Sequence, residues 1–162
     1  MKKVSLANKK LIEDLNSDYI SALNDFNMDN WLRCFSEQGQ YILNSEENVR
    51  RGLPVAFMLD DCYARLKDRV KQVMEIQYDS SEHYQMRHFT QLISVAEQAD
   101  GSFQASHNLS VYYTPKDTHQ TATLCVGSYK DTIVIENEEA KYLKKLAVVD
   151  TNVLPRYVIY PV

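Results

Sequence analysis

A chain of 162 residues is long enough to bury a real core, and 44% hydrophobic with 25% charged residues is an ordinary globular balance. A net charge of −4 argues against a general nucleic-acid binder, which needs a basic face for phosphates. No apolar run approaches the length of a membrane span.

The opening Met1-Lys2-Lys3 mimics the basic start of a signal peptide. Asn8, Lys9, Lys10, Glu13 and Asp14 leave no apolar stretch behind it, which predicts a cytoplasmic protein. Leu11, Leu15, Tyr19, Ala22 and Phe26 recur at helical spacing and predict a first helix from about Leu6 to Asp25. Asn27 is placed to cap a short second helix carrying Trp31, Leu32 and Phe35, with Trp31 in the core. Gly39–Leu43 reads as a short strand. Pro54 is placed to open a third helix with Phe57, Leu59, Cys62, Leu66, Arg69 and Val70 along one face and its edges.

From about Gln85 the period becomes two. The run Gln85–Gln98 ends at Asp100-Gly101, a strong hairpin signal, and Phe103–Thr114 returns. Gln120–Ile135 and Lys141–Asp150 complete an antiparallel meander of four long strands. In the third strand the apolar phase changes from Ala122, Leu124 and Val126 to Tyr129, Ile133 and Ile135. A β-bulge or bend at Gly127 is the predicted cause. Helices first and a long bent sheet second give one α+β domain over residues 1–162, a cystatin-like or NTF2-like cone.

Chemistry-bearing motifs are scarce. Cys34, Cys62 and Cys125 lack a C-x-x-C pair and read as reduced thiols without a metal. No Rieske spacing, phosphate loop or nucleophile elbow is present. If the Asp100-Gly101 turn sets register, His88 faces Tyr113 and His107 faces Ser94, about 20 Å apart and too far to share a metal. His107 lies on an otherwise apolar strand face, so it reads either as a bonded core histidine or as a general base. The second role needs a carboxylate such as Asp60, Asp61 or Asp131 within reach. Arg69 and Arg87 are expected either to pair with acids such as Asp150 or Asp131, pinning helix to sheet, or to line a subunit interface.

Several of these residues fall into one ordered series. It runs Trp31-Leu32-Arg33-Cys34-Phe35, Tyr41, Leu66-Lys67-Asp68-Arg69-Val70, Arg87-His88 and Ser106-His107-Asn108. It continues through Gly127-Ser128-Tyr129-Lys130-Asp131 and Asp150 to Tyr160-Pro161-Val162. In order and spacing the series resembles the small (beta) subunit of aromatic-ring-hydroxylating dioxygenases, from about Tyr19 to Val162. Its short N-terminus and length are most similar to the benzoate, anthranilate and halobenzoate branch.

The resemblance implies an NTF2-like cone with no catalytic residue, cofactor or metal of its own. It implies a large (alpha) partner carrying a Rieske [2Fe-2S] cluster and mononuclear Fe(II), in an α3β3 hexamer fed with electrons from NADH through a reductase. Interface or structural candidates are then Trp31, Arg69, Arg87, His88, Asp131 and Asp150. The alternative is a stand-alone lyase, isomerase or cyclase of the same fold, working through His107 or His88 with Asp131.

Overall fold

The computed structural model describes residues 4–76 and 83–162, so Met1-Lys2-Lys3 lies outside the described residues. Helix α1 spans Leu6–Asn24, opened by Ser5, whose side chain accepts a hydrogen bond from the Asn8 amide at 3.1 Å. Its buried stripe of Ile12, Leu15, Tyr19, Ala22 and Leu23 has the helical period that the sequence predicts. Asn27 caps α2 (Met28–Arg33) through the Asn30 amide, and Trp31 is wholly buried against Phe35 and Tyr41.

Strand β1 runs Phe35–Ser45, longer at both ends than the predicted Gly39–Leu43. A short helix α3 (Glu46–Arg51) follows and ends at Gly52, whose φ of +64° is the left-handed turn that glycine adopts without a Cβ penalty. The helix predicted from Pro54 does not form there. Instead Met58–Asp60 makes a short edge strand, β2, antiparallel to Tyr41–Leu43, and α4 covers only Tyr63–Lys71. Met58 and Asp60 are buried and Leu59 is exposed, so pairing with β1 and a period of two override the helical spacing of Phe57, Leu59 and Cys62. A π-helical turn, Gln72–Ile76, extends α4.

The remaining strands are β3 (Tyr84–Glu97), β4 (Phe103–Pro115), β5 (Ala122–Glu136) and β6 (Glu139–Val149). They form the predicted antiparallel meander. The sheet as a whole is mixed, in the order β2-β1-β6-β5-β4-β3, because β1 lies parallel to β6. Helices α1, α2 and α4 bury their apolar stripes in one core with the inward residues of the strands. Helices on a long sheet make an α+β, NTF2-like cone.

Two expectations about register are corrected. The turn pairs Glu97 with Phe103, one position off the expected register, and a bulge at Ile93 adds a second, so His88 lies opposite Val111 rather than Tyr113, and His107 opposite Leu92 rather than Ser94. In β5 the change of phase falls at Leu124-Cys125, where both side chains are buried, and not at Gly127. Gly127 serves a different purpose. A Cβ there would lie 2.0 Å from the Val148 carbonyl oxygen and 2.8 Å from Val149 Cα, so only hydrogen lets β6 approach this closely. Gly127→Ala should therefore cost about 3 kcal/mol or more. Urea denaturation checks this, and a loss below about 0.5 kcal/mol would remove the close-approach account.

Candidate functional site

The interior of the cone is built from alternate residues of three strands. The β5–β6 register puts Asp131 opposite Lys145 and Tyr129 opposite Ala147, while the β4–β5 register puts His107 opposite Tyr129. Tyr129 and Lys145 face Tyr19 of α1. Tyr19, Tyr129, Asp131, Tyr142 and Lys145 are each 0% exposed.

Lys145 is the centre. Its Nζ donates to Asp131 Oδ2 at 3.0 Å and to Tyr142 Oη at 3.2 Å. The same nitrogen sits 3.5 Å from the ring centroid of Tyr129, 4.4 Å from Tyr142 and 4.5 Å from Tyr19. Three negative ring faces and one carboxylate replace the water that an ammonium loses on burial. Burial pushes the Asp131 carboxyl up to about 6, and the lysine cation holds it from rising further. Burial lowers the Lys145 ammonium, and Asp131 opposes that shift.

His107 is 2% exposed, and its Nδ1 stands 3.7 Å from Asp131 Oδ2, just beyond hydrogen-bond distance. Of Asp60, Asp61 and Asp131, the structure brings Asp131 to His107, but Lys145 is the group bonded to it. Burial first, then the Lys145 cation, brings the imidazole down to about 4, so it is neutral at physiological pH. A sealed base this weak has little proton affinity to lend a reaction.

The other candidates separate. His88 points into the core and brings Nδ1 to 2.8 Å from Asn24 Oδ1, which also accepts from the His88 amide at 3.2 Å. It fastens the end of α1 to β3, and burial lowers it to about 3. Along β4, Val111 opposite His88 is four positions from His107, or about 13 Å. Arg69 does pin helix to sheet, but through Asp60 rather than Asp150 or Asp131. Its Nε and Nη2 meet the two carboxylate oxygens at 2.5 and 3.0 Å. Arg87 is exposed on the outer face of β3 with no ion pair among the described residues. Asp150 is also exposed, and its amide donates to the Val126 carbonyl at 2.9 Å.

Lys145 escaped the reading of the sequence, although a signal exists: it shares the strand phase of the buried Ala147 and Val149. The C-terminal residues complete the closure. Tyr19 Oη donates to the Val162 oxygen at 2.9 Å, and the Val162 amide donates to Tyr41 Oη at 2.9 Å. Tyr160 packs on Phe26 and Tyr84. Among the described residues, no group of three or more His, Cys, Asp or Glu is arranged to hold a metal.

The sequence matches the family described as ring hydroxylating beta subunit over residues 20–156. It is 27% identical over 138 residues to the anthranilate 1,2-dioxygenase small subunit of Burkholderia cepacia, covering 85% of this chain and 84% of that one. A solved beta subunit assigned to an aromatic-ring-hydroxylating dioxygenase of Novosphingobium aromaticivorans superposes with a TM-score of 0.81 at 23% identity. That match covers 92% of this chain and 93% of the other. The benzoate 1,2-dioxygenase beta subunit of Burkholderia mallei gives 0.68 at 19% identity, covering 93% of each.

The buried groups set a sign for acid stability. Folded His88 and His107 refuse a proton until about pH 3 and about 4, whereas both take one near 6.5 when unfolded. Their contribution is whole above pH 6.5 and is lost as pH falls. Asp131 acts oppositely, because its folded carboxyl takes a proton near pH 6 and its unfolded one near 3.8. Between pH 6 and 4 the unfolded chain therefore holds about two protons on these groups and the folded chain about one. Stability should fall by about 1.4 kcal/mol per pH unit across that window. Urea titrations at several pH values read the slope directly. His88→Asn should flatten it, and stability that rises on acidification would contradict the assignment.

Proposed function

Since this chain belongs to the family of ring-hydroxylating beta subunits, we propose that it supplies no catalytic group and acts as the scaffold subunit of a Rieske-type dioxygenase. A beta subunit of a dioxygenase implies an alpha partner. In this reading the alpha subunit carries the Rieske [2Fe-2S] cluster and the mononuclear Fe(II), and binds and oxidises the aromatic ring. Electrons reach it from NADH through a separate reductase, and the assembly is α3β3 in the cytoplasm. No helix among the described residues is long and apolar enough to cross a membrane. Relatives named for anthranilate and benzoate support a carboxylated aromatic substrate.

The observation that carries the scaffold role is the sealed interior. Where a catalytic cone needs a reachable acid and base, this one holds an ion pair between tyrosine rings, with Asp131 and Lys145 at 0% exposure. His107 and His88, the alternative acid–base residues, are closed off at 2% and 7%. Such groups hold strands and helices together, which is what a scaffold requires of them.

Co-expression with the Rieske-bearing subunit of the same organism tests the reading. The tagged chain should capture that subunit in a complex whose mass, by light scattering, exceeds either chain alone. His107→Asn should cost about 1–3 kcal/mol of stability. Oxygen uptake per assembled complex should nevertheless stay within about twofold of the parent, since a lost general base would cost roughly a hundredfold or more. A collapse of that normalised rate, with iron content and assembly intact, would overturn the scaffold role.

A further inference from the structure

Past Val149 the chain leaves the sheet. The Asp150 amide still bonds the Val126 carbonyl of β5, and residues 151–162 after it form neither helix nor strand. Two largely apolar grooves flank this segment. One, of about 450 Å³, lies between Leu124 and Val126 of β5 and the side of Val153, Leu154 and Pro155. The other, of about 330 Å³, lies between Leu43, Phe57 and Met58 and the side of Leu154, Tyr157 and Val158. Val153 and Tyr157 are themselves exposed. A segment open along both flanks is anchored by few buried contacts, and such a segment opens more readily than the sheet beneath it.

The far end of the segment is where it grips the cone. Arg156 lies over the rings of Tyr84 and Tyr113, at 4.4 and 4.8 Å, and Tyr160 sits edge-on to Phe26 and Tyr84. Val162 is 1% exposed. Its oxygen accepts from Tyr19 Oη at 2.9 Å and from Tyr41 Oη at 3.3 Å, and its amide donates to Tyr41 Oη at 2.9 Å. Both phenols stand on fully buried rings, and Tyr41 is backed edge-on by Trp31 at 5.7 Å. Two hydroxyls that converge on one oxygen in an aromatic wall make a site that reads an acceptor, and Val162 fills it. Tyr19 also keeps its ring face 4.5 Å from Lys145 Nζ. Departure of the segment thus bares the two hydroxyls while the Tyr19 ring still screens the ion pair.

We propose that residues 151–162 are a strap that opens as a unit about Asp150, and that the pocket it vacates, headed by Tyr19 and Tyr41, takes a small branched carboxylate. Val162 defines the ligand, with an isopropyl group for the apolar wall and an oxygen for the two phenols. A carboxylate accepts more strongly than the peptide oxygen it replaces, since charge-assisted hydrogen bonds are roughly twice as strong as neutral ones. Strap and ligand exclude each other. The full chain therefore binds the ligand weakly, in proportion to the fraction of open molecules, and a bound ligand holds the strap off the cone. The inference rests on residues of this chain and needs no alpha subunit, so it stands or falls apart from the scaffold role.

Hydrogen exchange of the Val162 amide in the full chain, read by NMR, tests the strap. This buried, bonded amide should exchange at least about a hundredfold faster than the amides of β5 and β6, at a rate that low urea leaves unchanged. Leu154 is half-buried against the core, eight residues before Val162. Leu154→Ala should speed the Val162 amide about tenfold and leave β5 and β6 alone, because the strap moves as one piece. Isovalerate is the probe for the pocket, titrated by calorimetry with Tm recorded. Leu154→Ala should bind it more tightly than the parent by the same factor by which exchange is accelerated. A chain without residues 160–162 should bind it at least about tenfold more tightly than the parent, and Tyr19→Phe with Tyr41→Phe should abolish that binding. A Val162 amide that exchanges only with the whole sheet, or that ignores Leu154→Ala, overturns the strap. A faster strap without tighter isovalerate binding, or binding that survives loss of both hydroxyls, overturns the pocket.

Discussion

A lysine ammonium buried at 0% exposure is the constraint around which this cone is organised. Taking such a charge out of water costs several kcal/mol unless it is surrounded by compensating charge. Lys145 finds a carboxylate on β5, a hydroxyl on its own strand and ring faces from β5, β6 and α1. The carboxylate and the Tyr129 ring, both from β5, depend on register. A slip of one residue between β5 and β6 would turn Asp131 to the outside and leave the cation without a partner. The pair contributes little net stability of its own, but it strongly penalises wrong pairings of the strands.

The same demand explains the tyrosines in the interior. Their rings face the ammonium, while their hydroxyls must find partners in a dry core. Tyr142 turns its hydroxyl to Lys145, and Tyr19 sends its own to Val162. In this way the charge at the centre is coupled to the C-terminal segment at the edge, with Tyr41 holding the Val162 amide. The helical layer is fastened separately, through His88 with Asn24 and through Arg69 with Asp60. His88, a titratable residue that looks catalytic in isolation, is thus occupied in holding layers together. A scaffold built this way commits its polar interior to architecture, and its outer surface is what remains for partners.

Much of the architecture is legible in the chain because periodicity is a local property. The stripe Leu15, Tyr19, Ala22 and the alternation from Gln85 onward, broken at Asp100-Gly101, determine the long helix and the meander without reference to anything distant. Ser5 and Asn27 likewise cap helices through hydrogen bonds only three residues long. The ordered series from Trp31 to Val162 also carries the family, since it samples nearly every element. Where a short segment's neighbours decided its fate, local reasoning failed. Phe57 to Cys62 has helical spacing, yet Tyr41–Leu43 captures it as an edge strand, because satisfying a strand edge outweighs a weak helical preference.

The site required the tertiary structure for a physical reason of the same kind. Sequence alone identifies His88, His107, Asp131, Arg69 and Asp150 as titratable groups, but their roles depend on partners that bulges reassign. The pairing at the turn and one extra residue at Ile93 together move both histidines to new neighbours, and the β5–β6 register, not spacing along the chain, brings Lys145 to Asp131. Arg69 finds Asp60 only because a segment expected to be helical is a strand. The sequence by itself determined the layers, the order of the long strands and the family, through local periodicity and spacing. Which charges meet, and which are left facing outward, was decided only by register, where a shift of one residue exchanges the inside of a sheet for its outside.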